Sequence, residues 1–71
     1  MITIFYIICK GKSFIGFAHE NGYPYVTDYV QSARLFRSED DAKKMIGMHK
    51  VRFNDSMLTD CTVRQLTYEV K

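Results

Sequence analysis

Three tyrosines lie close together in a polar stretch of the chain and offer the chemistry of molecular contact. Tyr23, Tyr25 and Tyr29 flank Pro24 and Asp28. A tyrosine combines a large contact area and few rotatable bonds with a hydroxyl tip, which suits the core of a protein interface. We therefore expect a partner-binding site at Tyr23, Tyr25, Asp28 and Tyr29. The alternative, that these rings close a small core, stays open.

A second group of side chains is basic and offers the chemistry of phosphate binding. It comprises Arg34, Arg37, Lys43, Lys44, Lys50 and Arg52. With the tyrosines available to stack on bases, such cations would suit RNA or DNA. The acids Glu39, Asp40 and Asp41 would repel phosphates from the same region, and acids before bases also complement a helix dipole. Nucleic-acid binding is therefore a second hypothesis, with a solvated helix face as its alternative.

Patterns for catalysis or metal binding are weak in this sequence. Asp40 and Asp41 are neighbours at a predicted helix start, where they point in different directions and serve capping. Cys9 stands among bulky apolar residues, where a thiol is usually inert filler. His19 and His49 would need a third metal ligand, and none is obvious. We expect a binding protein rather than an enzyme, without cofactor or metal.

Length and composition set further bounds. The 71 residues allow one domain, 1–71, and the apolar content of 46% indicates a chain that folds. The formal charge of +2 is too balanced to indicate nucleic acid by itself. The two cysteines, Cys9 and Cys61, make no dense disulfide framework. The apolar N-terminal run lacks a basic start and a cleavage site and is too short for a bilayer. We expect a cytoplasmic protein with reduced thiols and no membrane contact.

The first half of the chain has the pattern of strands. Ile2–Lys10 is β-branched and aromatic on both faces, which is typical of a central strand. Gly11 permits a hairpin turn into a return strand, Ser13–His19. Within that strand, Gly16 indicates a bulge or a close backbone approach. A loop at Glu20–Pro24 follows.

Later segments are shorter or interrupted. Tyr25–Val30 is predicted to be irregular or a short strand, and Ala33–Phe36 to be a short strand leading into a helix. Cys61–Val70 forms the last strand, with Leu66, Tyr68 and Val70 on a packed face and Gln65, Thr67 and Glu69 on a wet one. Val63 breaks this alternation, which suggests a bulge near Arg64.

One segment has the pattern of a helix. Ser38 is a good N-cap, and Asp41 stands at the position that completes a capping box. One apolar stripe is made by Ala42, Met45, Ile46 and His49. The helix is predicted to end near Arg52, before a polar loop at Asn54–Asp60.

These elements predict an α+β fold, a three- or four-stranded, mainly antiparallel sheet with one helix on one face. One helix covers one face only. The second apolar face of Ile2–Lys10 therefore needs loops, a partner chain or a target to cover it. This is the strongest indication of association in the sequence.

The segment that leads into the helix resembles one found in small accessory proteins of bacteriophages. Its pattern is A-x-x-F-x-S/T-x-x-x-A, carried here by Ala33, Phe36, Ser38 and Ala42. The resemblance implies a short strand delivered into a helix and brings no catalytic residues. Such proteins often bind a host or defence protein and block or redirect it, so it implies a host or defence protein as partner.

The sequence therefore favours a non-enzymatic binding protein that acts by covering a surface of another protein. An RNA- or DNA-binding module and a self-associating homodimer are the alternatives.

Overall fold

A computed structural model describes residues 2–53 and 57–69 of the chain. Its elements in chain order are β1 (Ile2–Lys10), β2 (Ser13–Phe17), β3 (Pro24–Thr27), a 3-10 turn (Val30–Ser32), α1 (Glu39–Phe53) and β4 (Thr62–Glu69). The strands form one four-stranded antiparallel sheet in the order β3-β2-β1-β4, and α1 packs against β4 and β1. The predicted α+β architecture is confirmed.

The first strand lies inside the sheet, between β2 and β4, as its apolar pattern predicts. It pairs with β4 without interruption from Ile2 opposite Glu69 to Cys9 opposite Thr62. The predicted bulge near Arg64 is therefore wrong. Val63 breaks the alternation because it lies opposite Ile8 and packs on the helix side, so β4 contributes apolar side chains to both faces.

The β1–β2 hairpin opens soon after its turn. Gly11 has a φ of 60°, and the paired residues are Cys9 with Phe14 and Lys10 with Ser13. Continued, this register would set Tyr6 opposite Phe17. Instead Tyr6 forms a bridge with Phe36.

The predicted strand at Ala33–Phe36 is thus reduced to a single bridge. The amide of Tyr6 donates to the Phe36 carbonyl at 2.8 Å, and the amide of Phe36 donates back to Tyr6 at 2.8 Å. The amide of Arg34 donates to the carbonyl of Ile15 in β2 at 3.2 Å. The segment therefore occupies the gap between the two strands and satisfies backbone groups that their divergence leaves unpaired.

The sheet is packed on both faces by the chain itself. On the helix side the core consists of Ile8, Ile15, Phe36, Ala42 and Leu58. On the other side, Ile7 and Cys9 pack with Ala33 and Val30, so the 3-10 turn covers the second face of β1 near its end. The sequence left loops, a partner chain or a target as possible cover for the second face of β1. Near the end of β1, a loop covers this face.

The start of β1 is less well covered. The side chain of Ile2 is 65% exposed, and Ile4 is also exposed. Phe5 is half-buried and packs edge-on against Tyr68 of β4, with ring centroids 5.8 Å apart. Apolar surface therefore remains open to solvent at this end of the β1–β4 ladder.

The helix begins and ends close to the predicted positions. The amide of Asp41 donates to Ser38 Oγ at 3.1 Å, which confirms the N-cap. In the predicted stripe Ala42 and His49 are buried, whereas Met45 and Ile46 are half-buried. The last helical residue is Phe53, one beyond the expected end.

The segment after the helix contributes more to the core than its polar sequence predicts. Asn54, Asp55 and Ser56 of the predicted loop lie outside the described residues. Leu58, however, is fully buried in the helix-side core. The Lys10 ammonium holds this segment, because it donates to the Met57 carbonyl at 2.7 Å and lies 3.2 Å from the Asp60 carboxylate.

The bounds of two strands differ from prediction. The return strand ends at Phe17 rather than His19, because Ala18 enters a turn in which its carbonyl accepts the amide of Gly22 at 2.9 Å. Gly22 has a φ of 71°, a conformation that favours glycine. The last strand spans Thr62–Glu69, and Val70 lies outside the described residues. Within the described part of the chain, no helix is long and apolar enough to cross a membrane.

Candidate functional site

The tyrosines of the predicted partner-binding site are divided between the two faces of the sheet. Tyr23 lies on the helix side, where its ring packs edge-on against His49 and Phe53 at centroid distances of 5.6 and 5.1 Å. Tyr25 lies opposite Gly16 on the other face, with its ring over that glycine. Its hydroxyl approaches the Ser32 carbonyl at 3.4 Å. Both rings therefore contribute to the fold.

The other two predicted residues lie near the end of β3. Asp28 accepts a hydrogen bond from the Ser13 hydroxyl at 2.8 Å. The amide of Tyr29 donates to Thr27 Oγ1 at 3.1 Å, and the Tyr29 side chain is 66% exposed. The structure does not bring all four predicted residues into one patch. Partner binding by Tyr29 and its neighbours stays a prediction.

Most of the predicted basic residues border a groove beside α1. The groove has a volume of about 410 Å³ and lies between the helix and the segment 34–37 that bridges β1 and β2. Its charged lining consists of Arg34, Arg37, Asp41 and Lys44. A smaller depression of about 110 Å³ continues past Arg34 and Met48 to Arg52. We call the two together the α1 groove.

The bases of the α1 groove form no ion pair within the described part of the chain. Lys43 points its ammonium to Glu39, 3.2 Å away, and the other ion pair joins Lys10 to Asp60. Among residues 2–53 and 57–69, no ion pair involves the four bases of the groove, Arg34, Arg37, Lys44 and Arg52. The remaining predicted base, Lys50, is exposed and does not line the groove.

Arg34 is the best-positioned cation of the groove. Its guanidinium carbon lies 5.5 Å from the ring centroid of Phe17 and 5.4 Å from that of Phe36. These two rings meet edge-on at 6.4 Å and are themselves packed in the core. Stacking on two fixed rings attracts the cation and limits its motion. The positive charge of Arg34 is therefore fixed in position at the middle of the groove before a ligand binds.

The groove also carries apolar side chains that sequence reasoning missed. Leu35 is 40% exposed, Met48 is 61% exposed and Val51 is 86% exposed. Leu35 and Met48 line the groove together with the half-buried Met45, and Val51 adjoins Met48 on the same side of the helix. The sequence does contain a pattern that indicates an exposed apolar pair on the helix. Met48 and Val51 are three residues apart and fall outside the buried stripe.

The thiols offer little reactivity. Both cysteines are free. Burial raises the pKa of Cys9, against a smaller opposing effect of Arg64. Burial also raises the pKa of Cys61, although Lys10 opposes it. Both groups are therefore protonated at neutral pH, and a protonated thiol is a poor nucleophile.

Metal-ligating side chains are dispersed. In the described segments, no three His, Cys, Asp or Glu side chains come together as a possible metal site. His49, one of the two predicted candidates, is buried between the rings of Tyr23 and Phe53.

The α1 groove combines two kinds of side chains. Cations that form no ion pair within the described part of the chain lie beside exposed methyl and thioether groups. Comparisons with protein-family models, with curated proteins and with solved structures find no match to this chain.

Proposed function

We propose that this chain is a non-enzymatic binding protein that acts by covering a surface of a partner protein. The observation that carries the proposal is the exposure of Leu35, Met48 and Val51 beside cations of the α1 groove that form no ion pair among the described residues. Isolated exposed apolar side chains are ordinary. Grouped beside a groove and rimmed by charge, they are typical of an interaction site.

The size of the domain supports action by occlusion. The chain has 71 residues, and its principal extents are 42, 24 and 22 Å. One long side of such a body is large enough for a standard interface of roughly 800 Å² per partner. Binding alone would then exclude competing molecules from the covered surface.

The resemblance to bacteriophage accessory proteins suggests where to look for the partner. A host or defence protein in the cytoplasm of an infected bacterium is the first candidate. Blocking or redirecting that protein would be the biological outcome.

Nucleic-acid binding is the second candidate, and one observation favours it. Four of the six predicted bases, Arg34, Arg37, Lys44 and Arg52, line the α1 groove. Against it, Asp41 lines the same groove, and Glu39 and Asp40 lie in the same first turn of α1. A nucleic-acid complex would weaken steeply with salt, in proportion to the phosphates neutralised.

Self-association is the third candidate. β4 is an edge strand of eight residues, and one side of its backbone has no strand partner among the described residues. Such an edge can pair with a second copy. Sedimentation of the pure protein would then show a dimer in the absence of any partner.

Affinity capture with matched variants tests the proposal. The tagged chain, the double variant Met48→Ser/Val51→Ser and the variant Lys12→Glu are incubated with the same bacterial lysate. Lys12 is exposed in the hairpin turn, away from the groove, so its variant serves as the control. We expect one stoichiometric protein with the parent chain and with Lys12→Glu, and its loss with the double variant. Capture of nucleic acid alone, or of nothing, would contradict the proposal.

A further inference from the structure

The α1 groove has a shape and a charge that specify the kind of segment it accepts. One wall is helical, with Asp41, Lys44, Met45 and Met48 at intervals of three and four residues. The other wall is the extended segment 34–37, held to β1 and β2 by backbone hydrogen bonds. Both walls are therefore preformed, which lowers the cost of ordering on binding.

The length of the groove corresponds to a short structural element. Along α1 its lining runs from Asp41 to Phe53. At 1.5 Å per helical residue this is about 18 Å, or about three helical turns of a docked segment. A partner helix that lies in such a groove makes contact through side chains at intervals of three and four residues.

The charges along the groove favour acids in that segment. Arg34 is centred, and Arg37, Lys44 and Arg52 lie around it, with no ion pair to any of them within the described part of the chain. A carboxylate that approaches Arg34 meets a guanidinium already fixed over Phe17 and Phe36. Fixed guanidinium groups form the strongest charge-assisted hydrogen bonds with carboxylates.

The apolar side chains distinguish a protein segment from a phosphate backbone. Leu35, Met45 and Met48 lie between the cations, and Val51 extends the apolar strip beyond Met48. Thioether and aliphatic groups adapt to apolar side chains but offer nothing to phosphate. Base stacking would require open aromatic faces here. Phe17 and Phe36 face the core and Arg34, and the half-buried Phe53 packs against Tyr23 and His49.

We infer that the α1 groove binds an acidic amphipathic segment of a partner protein, with carboxylates on Arg34, Arg37 and Lys44 and apolar side chains on Leu35 and Met48. This inference rests on the proposed function and adds the chemistry of the partner and the place where it docks. The segment is about three helical turns long.

A titration with defined peptides tests the inference on the intact chain. The probe is a helical peptide of about 15 residues with leucines on one face and glutamates on the other. One control peptide replaces the leucines by serines and keeps the charge. A second replaces the glutamates by lysines and keeps the apolar face. A single-stranded RNA of equal negative charge is the fourth ligand. Binding is followed by amide chemical shifts of the labelled protein.

We expect the acidic amphipathic peptide to shift the amides of segments 34–37 and 44–53. Both control peptides and the RNA should bind at least about tenfold more weakly. The variants Arg37→Glu and Lys44→Glu should each weaken the probe by about tenfold, and Lys12→Glu, which makes the same charge change outside the groove, should not.

Three outcomes would overturn the inference. The probe fails to shift the groove amides, the lysine peptide binds equally well, or the RNA binds the groove more tightly than the probe. Failure of the inference is distinguishable from failure of the proposed function. If lysate capture still yields a protein that is retained by the groove variants, the chain is a binding protein that uses another surface.

Discussion

Tyr6 and Phe36 exchange two backbone hydrogen bonds, each 2.8 Å long. Tyr6 belongs to β1, whereas Phe36 lies outside the named strands and forms an isolated bridge. The contact closes the gap where β1 and β2 diverge. It also fixes segment 34–37, which forms one wall of the α1 groove and carries Arg34 and Leu35. The candidate site therefore depends on a connection that lies outside regular secondary structure.

The bridge predicts a pattern of amide hydrogen exchange. The amides of Tyr6, Arg34 and Phe36 donate to backbone carbonyls and should exchange slowly, close to the rate of the core strands. The amides of Leu35 and Arg37 should exchange much faster. Fast exchange at Phe36 would contradict the bridge and would instead agree with a continuous β1–β2 hairpin.

A pair of glycine substitutions tests the packing of the second face. At Gly16 an added Cβ would lie 2.6 Å from the Ser32 carbonyl oxygen and 2.6 Å from Tyr25 Cζ, so Gly16→Ala should lower the free energy of unfolding by about 2 kcal/mol. At Gly47 nothing lies within 4 Å of the added carbon, so Gly47→Ala should raise it by about 1 kcal/mol. Urea denaturation measures both. An unchanged free energy of unfolding for Gly16→Ala would show that the 3-10 turn does not pack closely against the sheet at this position.

Substitutions of Tyr25 and of Tyr29 should affect the free energy of unfolding differently, although the sequence places both residues in one predicted site. Because the Tyr25 ring covers Gly16, Tyr25→Ala should lower the free energy of unfolding by about 1 kcal/mol or more, whereas Tyr25→Phe should change it by less than about 0.5 kcal/mol. Tyr29→Ala should likewise be nearly neutral, because that ring is mostly exposed. Equal free energies of unfolding for Tyr25→Ala and Tyr29→Ala would contradict a role of Tyr25 in the fold and would favour a role in an interface.

The thiols of the buried Cys9 and the half-buried Cys61 predict a loss of stability at alkaline pH. Burial raises the pKa of Cys9 and of Cys61, so the folded state keeps both protons to a higher pH than the unfolded state does. Their contribution is complete below the ordinary thiol value of about 8.5 and is lost as pH rises through the raised values. The free energy of unfolding of the Cys9→Ala/Cys61→Ala variant should therefore fall less steeply in this range. Equal slopes for the variant and the parent would contradict the prediction.

The sequence predicts the elements well where local pattern decides them. The apolar run of β1, the hairpin at Gly11 and the Ser38 cap each depend on a few neighbouring residues, and all three are confirmed. The prediction of a bulge near Arg64 is wrong because a tertiary contact, not the local pattern, places Val63. Val63 faces a helix whose position the alternation within β4 does not reveal.

The candidate site is less predictable, because long-range packing creates it. The bases at Arg34, Arg37, Lys44 and Arg52 were identifiable as a group, but the groove exists only because segment 34–37 bridges two strands. Stacking of Arg34 on Phe17 joins residues far apart in the chain. The burial of Leu58 within a polar stretch has the same origin.

Site-specific photocrosslinking in lysate shows where on the chain a partner protein docks. A photoreactive phenylalanine analogue replaces Met48 in the groove, Tyr29 in the predicted tyrosine site, or Lys12 as a control, and each protein is irradiated in bacterial lysate. If the partner docks in the α1 groove, we expect a covalent product with one partner protein from position 48, and none from position 12. A product from position 29 alone, or equal products from all three positions, would contradict binding through the α1 groove.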